Sequence, residues 1–134
     1  MTNPKGTFAE SLLVKWARKN GFPQADRIPR SGAKDRGDVG LAPGVIVEVK
    51  NYALKTGFPT DAQLTKWLAE TEAEIRNAGA ELGYLVVKRK GTQDVGKWFC
   101  FRFYGAAGWS MTTVAQQFEV LRRAGYGDPI DEEV

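Results

Sequence analysis

Apolar residues recur along this chain in blocks whose spacing switches between helical and alternating. Phe8, Leu12, Leu13, Trp16 and Ala17 fall three and four apart, as one stripe of a helix does. Thr7 suits the N-cap, Glu10 three residues on would complete a capping box, and Gly21 and Pro23 end the element, so a helix is expected over 7–20. A short strand is expected at 25–29, an exposed basic, glycine-rich loop at 30–37, and strands at 38–41 and 45–50 around Ala42-Pro43-Gly44. Leu64, Trp67, Leu68, Thr71 and Ile75 mark a second helix from a Thr60 or Asp61 cap to residue 78, with Gly79 near its end. Strands follow at 83–88 and 97–104. In the second of these Phe99, Phe101 and Phe103 alternate with Trp98, Cys100, Arg102 and Tyr104. Met111, Val114, Phe118 and Leu121 line a last helix at 110–124. The order α-β-β-β-α-β-β-α predicts an α/β fold, a mixed sheet with helices packed on it.

The hairpin at 38–50 contains a conflict that fixes its register. A two-residue turn at Pro43-Gly44 carried straight through would set Val39 opposite Glu48 and Asp38 opposite Val49, turning the aspartate into the core. Shifting the pairing by one residue puts Val39, Leu41, Val47 and Val49 on the core face. Asp38, Gly40, Ile46, Glu48 and Lys50 then share the other. The apolar pattern therefore demands a bulge or a longer turn near Gly40 or Gly44.

The chain has 134 residues, enough for one domain over 1–125, with an acidic, flexible tail at 126–134. No apolar run approaches a membrane span, and the first residues lack a signal-peptide core, so no membrane partner and a cytoplasmic location are expected. The single cysteine, Cys100, excludes an internal disulfide and reads as packing. The absence of histidine removes Ser-His-Asp catalysis and His-ligated zinc. Any metal here must be held by oxygens, which favours magnesium or manganese. Four acids, Asp128, Asp131, Glu132 and Glu133, sit in the last seven residues, so the body before them is four charges more positive than the net +3. Such a body suits a polyanionic partner.

Asp38 and Glu48, brought to one strand edge, can hold a hard divalent cation, and the Lys50 ammonium beside them can orient a water. That is equipment for hydrolysing a phosphodiester. The pattern Asp38…Glu48-x-Lys50 within this element order resembles the PD-(D/E)xK nuclease superfamily. Gly6-Thr7-Phe8-Ala9-Glu10, Asn20-Gly21-Phe22 and Arg27-Ile28-Pro29-Arg30-Ser31-Gly32 look like the start of archaeal-type Holliday junction resolvases. The resemblance covers roughly residues 5–104.

The resemblance implies a restriction-endonuclease-like αβββαβ core with an extra C-terminal helix. It implies Asp38, Glu48 and the Val49 carbonyl as metal ligands, Lys50 at the water or phosphate, Glu10 near the metal and Ser31 near the phosphate. It further implies a Mg²⁺-dependent (or Mn²⁺-dependent) endonuclease for four-way DNA junctions, acting as a homodimer in recombination and repair, as would suit a phage or plasmid. Two features depart from it. Gly37 stands where the superfamily has proline, and Gln63 with Trp67 resembles the Gln-x-x-x-Trp helix of VRR-type nucleases, which makes Gln63 an auxiliary candidate.

Arg30, Ser31, Lys34 and Arg36 in the first basic loop and Lys88 and Lys90 in the second are candidate DNA contacts, because cations and backbone N–H groups converge there. Each reading has a plainer counterpart. Glu10 could be only a helix cap, Glu48 and Lys50 an exposed strand pair, and the basic loops solvated turns. Trp98 and Tyr104 either lie under the last helix or form a subunit interface. The rival functions are a VRR-like or restriction-type nuclease for flaps or duplex, and a catalytically silent nucleic-acid-binding module.

Overall fold

The computed structural model describes residues 4–30, 32 and 34–130, with side chains from residue 6 onward. Helix α1 (Pro4–Lys19) leads into β1 (Asp26–Arg27), β2 (Val39–Ala42) and β3 (Val45–Lys50). Helix α2 (Asp61–Ala78) crosses over to β4 (Leu82–Val87), and β5 (Phe99–Phe103), β6 (Trp109–Thr113) and α3 (Val114–Arg123) follow. The six strands lie in sequence order in one sheet. Among the described residues only the β3–β4 pair is parallel, as the α2 crossover requires, so the sheet is mixed.

Helices cover both faces. Leu13 and Ala17 of α1 and Phe118 and Leu121 of α3 pack with Val39, Val47, Val49, Val86 and Cys100 on one side. On the other, Leu64, Trp67 and Leu68 of α2 pack with Leu85, Val87 and Phe101. The alternation of β5 thus feeds two cores. Trp98 is fully buried under α1 and α3, whereas Tyr104 is half exposed. Burial raises the Cys100 thiol above its ordinary range, in keeping with a packing role.

The hairpin resolves its conflict by the bulge and keeps the turn short. Ala42 pairs with Val45 across the tight Pro43-Gly44 turn, while Gly40 pairs with Ile46 and Val39 with Val47. A bulge at Leu41 absorbs the one-residue difference, so both valines and Leu41 stay in the core.

Some expectations about the elements need correction. Helix α1 starts at Pro4, not at a Thr7 cap, because proline lacks the N–H that a first turn leaves unpaired. Thr7 and Glu10 are therefore inside the helix and form no capping box. Residues 109–113 make a sixth strand rather than the first turn of the last helix. Their alternating, β-branched run pairs with β5, and Thr113 with Gln116 caps α3. The first residues of the expected tail make contacts with the body of the fold. Tyr126 bonds Glu81 at 2.7 Å, the Asp128 amide donates to Gly21, and Arg122 donates to the Asp128 and Pro129 carbonyls. Residues 131–134 lie outside the described part.

Helix α2 approaches β4 at Gly83, where a Cβ would collide with Ile75 Cγ1 and stand 3.1 Å from Ile46 Cδ1. Gly83→Ala should overpack this contact and cost about 1–3 kcal/mol in chemical denaturation. An unchanged midpoint would show that α2 slides freely on the sheet.

Candidate active site

The site forms where β2 ends and β3 continues beyond it. Past Val39 the ladder loses its backbone acceptor, and the Asp38 side chain supplies one: Val49 N–H donates to Asp38 Oδ2 at 2.8 Å. The Asp38 amide donates to Val47 and its carbonyl accepts from Ile28, so its backbone is fixed from both neighbouring strands. Just before it, Gly37 adopts φ +97°, a conformation closed to proline, whose ring holds φ near about −65°. The glycine at this position follows from the turn.

Asp38 joins groups from both faces of the sheet. Its carboxyl is within hydrogen-bonding reach of Glu48 from β3 and of Glu10 from α1. Glu48 in turn reaches Glu74 of α2. Four carboxyls thus run through the sheet edge as a chain, and Asp38, Glu48 and Glu74 are all buried. Burial first, then the neighbouring carboxyls Asp38 and Glu74, push Glu48 up to about 12. Burial and Asp38 push Glu10 up to about 7, against the opposing pull of Arg27, whose Nη2 lies 3.2 Å from Glu10 Oε2. Glu74 is raised to about 7 by burial and by the charges of Asp35 and Asp38, with its bond to Glu48 and the Lys50 charge opposing.

Lys50 Nζ sits 3.0 Å from Glu70 and 3.6 Å from Glu48, and 5.8 Å from the Trp67 ring centre. Burial lowers its affinity for a proton, but these carboxylates outweigh that and hold the ammonium above its ordinary value. Of the two carboxylates, Glu70 is the nearer partner. Tyr52, half exposed, stacks on Trp67 at 5.1 Å.

Thr7, Glu10, Arg27 to Arg30, Asp38 and Glu48 to Tyr52 line a cleft of about 690 Å³. The candidate ligands Asp38, Glu48 and Val49 all face it, as do Lys50 and Arg30. Lys34 and Arg36 line a smaller adjoining recess of about 170 Å³ with Arg30 and Asp35. Ser31 falls outside the described residues. Lys88 follows β4, and its amide donates to the Lys50 carbonyl, so the second basic turn sits at the same carboxyl end of the parallel strands as the cleft. Lys88 Nζ lies 5.8 Å from the Trp98 ring, and Lys90 is exposed.

Gln63 takes no part in the cleft. It caps α2, accepting from the Thr60 amide at 2.9 Å while its own amide donates to the Thr60 hydroxyl. The acids that sequence reading passed over are Asp35, Glu70 and Glu74. Glu74 carried a signal: it lies in the stripe of Trp67 and Thr71, where an amphipathic helix otherwise buries apolar groups.

The donor set fits a hard cation. It is all oxygen, it concentrates negative charge, and Glu10, Glu48 and Glu74 hold protons more tightly than free carboxyls, which marks a shortage of positive charge. No family model, curated protein or solved structure matches this chain. Among the described residues no helix is long and apolar enough to cross a membrane.

Proposed function

We propose that the chain is a metal-dependent DNA endonuclease of restriction-endonuclease-like fold, selective for branched DNA and most simply a Holliday junction resolvase. The observation that carries this reading is the meeting of Asp38 and Glu48 in one cleft, with Lys50 3.6 Å from Glu48, at the register set by the Leu41 bulge.

Asp38 and Glu48 would hold one Mg²⁺ or Mn²⁺ with the Val49 carbonyl. Bound there, the cation would polarise a phosphate and acidify a water. Lys50 faces the cleft and offers its ammonium to that water or to the charge growing on the phosphate. Its bond to Glu70 fixes where the ammonium sits. Arg27, through Glu10, and Arg30 place cations at the cleft mouth for the phosphate backbone. Two symmetric cuts on a four-way junction call for a two-fold dimer. Affinity carried by lysine and arginine falls steeply with salt.

Four-way, flap and linear duplex DNA, incubated in parallel with Mg²⁺ or EDTA, test this reading. The expected result is metal-dependent nicking of the junction in preference to the others. Preferential cutting of linear duplex would replace the resolvase with a restriction-type or VRR-like enzyme. Tight binding with no cleavage of any substrate would leave a silent nucleic-acid-binding module.

A further inference from the structure

We propose that Asp35, Glu48 and Glu74 form a second divalent-cation site, on the α2 side of Glu48 and separate from the Asp38 side. One carboxylate oxygen from each residue lies within 4.8 Å of the other two. Oxygens bound to one Ca²⁺ at about 2.3–2.6 Å stand at most about 5.2 Å apart, and on Mg²⁺ about 4.2 Å. The cluster therefore needs only slight closure to hold Ca²⁺ and somewhat more for a smaller ion.

A second observation is independent of this spacing. Glu74 is 3% exposed, and its Oε2 is buried without a hydrogen-bond partner. Glu48 reaches the Glu74 carboxyl, but Oε2 itself is left without a donor, and an acceptor removed from water in that way costs about 1–3 kcal/mol, and more when charged. A cation at the cluster would satisfy it. No protein cation does so: among the described residues neither Asp35 nor Glu74 has an ion-pair partner, and Lys50 is engaged by Glu70 and Glu48.

The three donors come from separate elements whose positions are fixed. Asp35 lies in the basic loop, its Oδ1 accepting from the Gly37 amide and its carbonyl from Asn77 of α2 at 2.8 Å. That last bond ties the loop to the helix one turn beyond Glu74. Glu48 belongs to β3 and Glu74 to the buried stripe of α2. Glu48 would serve both sides, so a cation on either orients the carboxylate for the other.

The site stands on these residues alone and does not require the cleft to cut DNA. Titrating the full chain with Mn²⁺ at pH 8, with free Mn²⁺ read by electron paramagnetic resonance, should give two bound ions per chain. Glu74→Gln and Asp35→Asn should each retain one, Asp38→Asn should also retain one, and Glu48→Gln should lose both. Melting in EDTA should show Glu74→Gln at least as stable as the parent, so a lost ion is not a lost fold. One bound Mn²⁺ that survives both Glu74→Gln and Asp35→Asn, or none bound at all, would overturn the second site. Failure of the nuclease reading looks different: two ions bound and no DNA cut.

Discussion

Asp38→Asn should abolish metal-dependent cleavage while leaving the protein folded. The aspartate has two separable roles. One oxygen accepts from the buried Val49 amide at 2.8 Å and closes the ladder where β2 stops. The carboxyl also meets Glu48 and Glu10 in the cleft. Asparagine keeps a carbonyl oxygen for Val49 and puts an N–H₂ group toward its acidic neighbours, which relieves crowding there. It loses the charge a cation needs. Forfeiting several kcal/mol of charge stabilisation in the transition state corresponds to about 10³-fold or more in rate. Single-turnover nicking of a four-way junction should fall by that factor, while junction affinity in Ca²⁺ and the melting temperature in EDTA hold or rise. Asp38→Ala should behave differently, since it strands the Val49 N–H and costs about 1–3 kcal/mol of stability. Asp38→Asn cleaving within tenfold of the parent would reduce the residue to a sheet closure.

The contrast between those two substitutions shows what the sequence could and could not say. The need to keep Val39 and Asp38 on opposite faces was legible, because strand side chains alternate and one face is apolar. The observed pairing of Val39 with Val47 meets that need. The second helix was legible to within about a residue at both ends, from a Thr60 or Asp61 cap and from Gly79 near its end. The use of the Asp38 carboxyl as a ladder acceptor was not, since it depends on where β2 ends in space. Glu10 was legible as a candidate but not its partner, because the Arg27 pair joins α1 to β1 across seventeen residues. Lys50 was readable as a strand residue facing Glu48, yet its bond to Glu70 depends on the phase at which α2 crosses the sheet. The sixth strand was hidden because Met111, Val114, Phe118 and Leu121 also fit a helical stripe. Only its pairing with β5 shows that 109–113 is extended.

The acid cluster also makes stability depend on pH in a direction opposite to that of an ordinary salt-bridged carboxylate. Glu10, Glu48 and Glu74 bind their protons more tightly in the fold than near 4.5, the value expected once unfolded. Raised carboxyls leave stability intact at pH values below about 4.5 and erode it above, as the unfolded chain ionises first. For Glu10 and Glu74 the loss is complete near pH 7; for Glu48 it continues into alkaline solution. Glu48 alone, 5% exposed, can contribute a slope of up to about 1.4 kcal/mol per pH unit. In EDTA the melting temperature should therefore fall from pH 5 to pH 8, and Glu48→Gln should flatten that fall by removing the group held most tightly. Mn²⁺ should restore the loss at pH 8 and do little at pH 5, because carboxylates must shed their protons to become ligands. Tryptophan fluorescence melts across this range, with and without Mn²⁺, measure both effects. A profile in EDTA that Glu48→Gln leaves unchanged, or a Mn²⁺ effect as large at pH 5 as at pH 8, would mean that these carboxyls are not competing with a cation for one space.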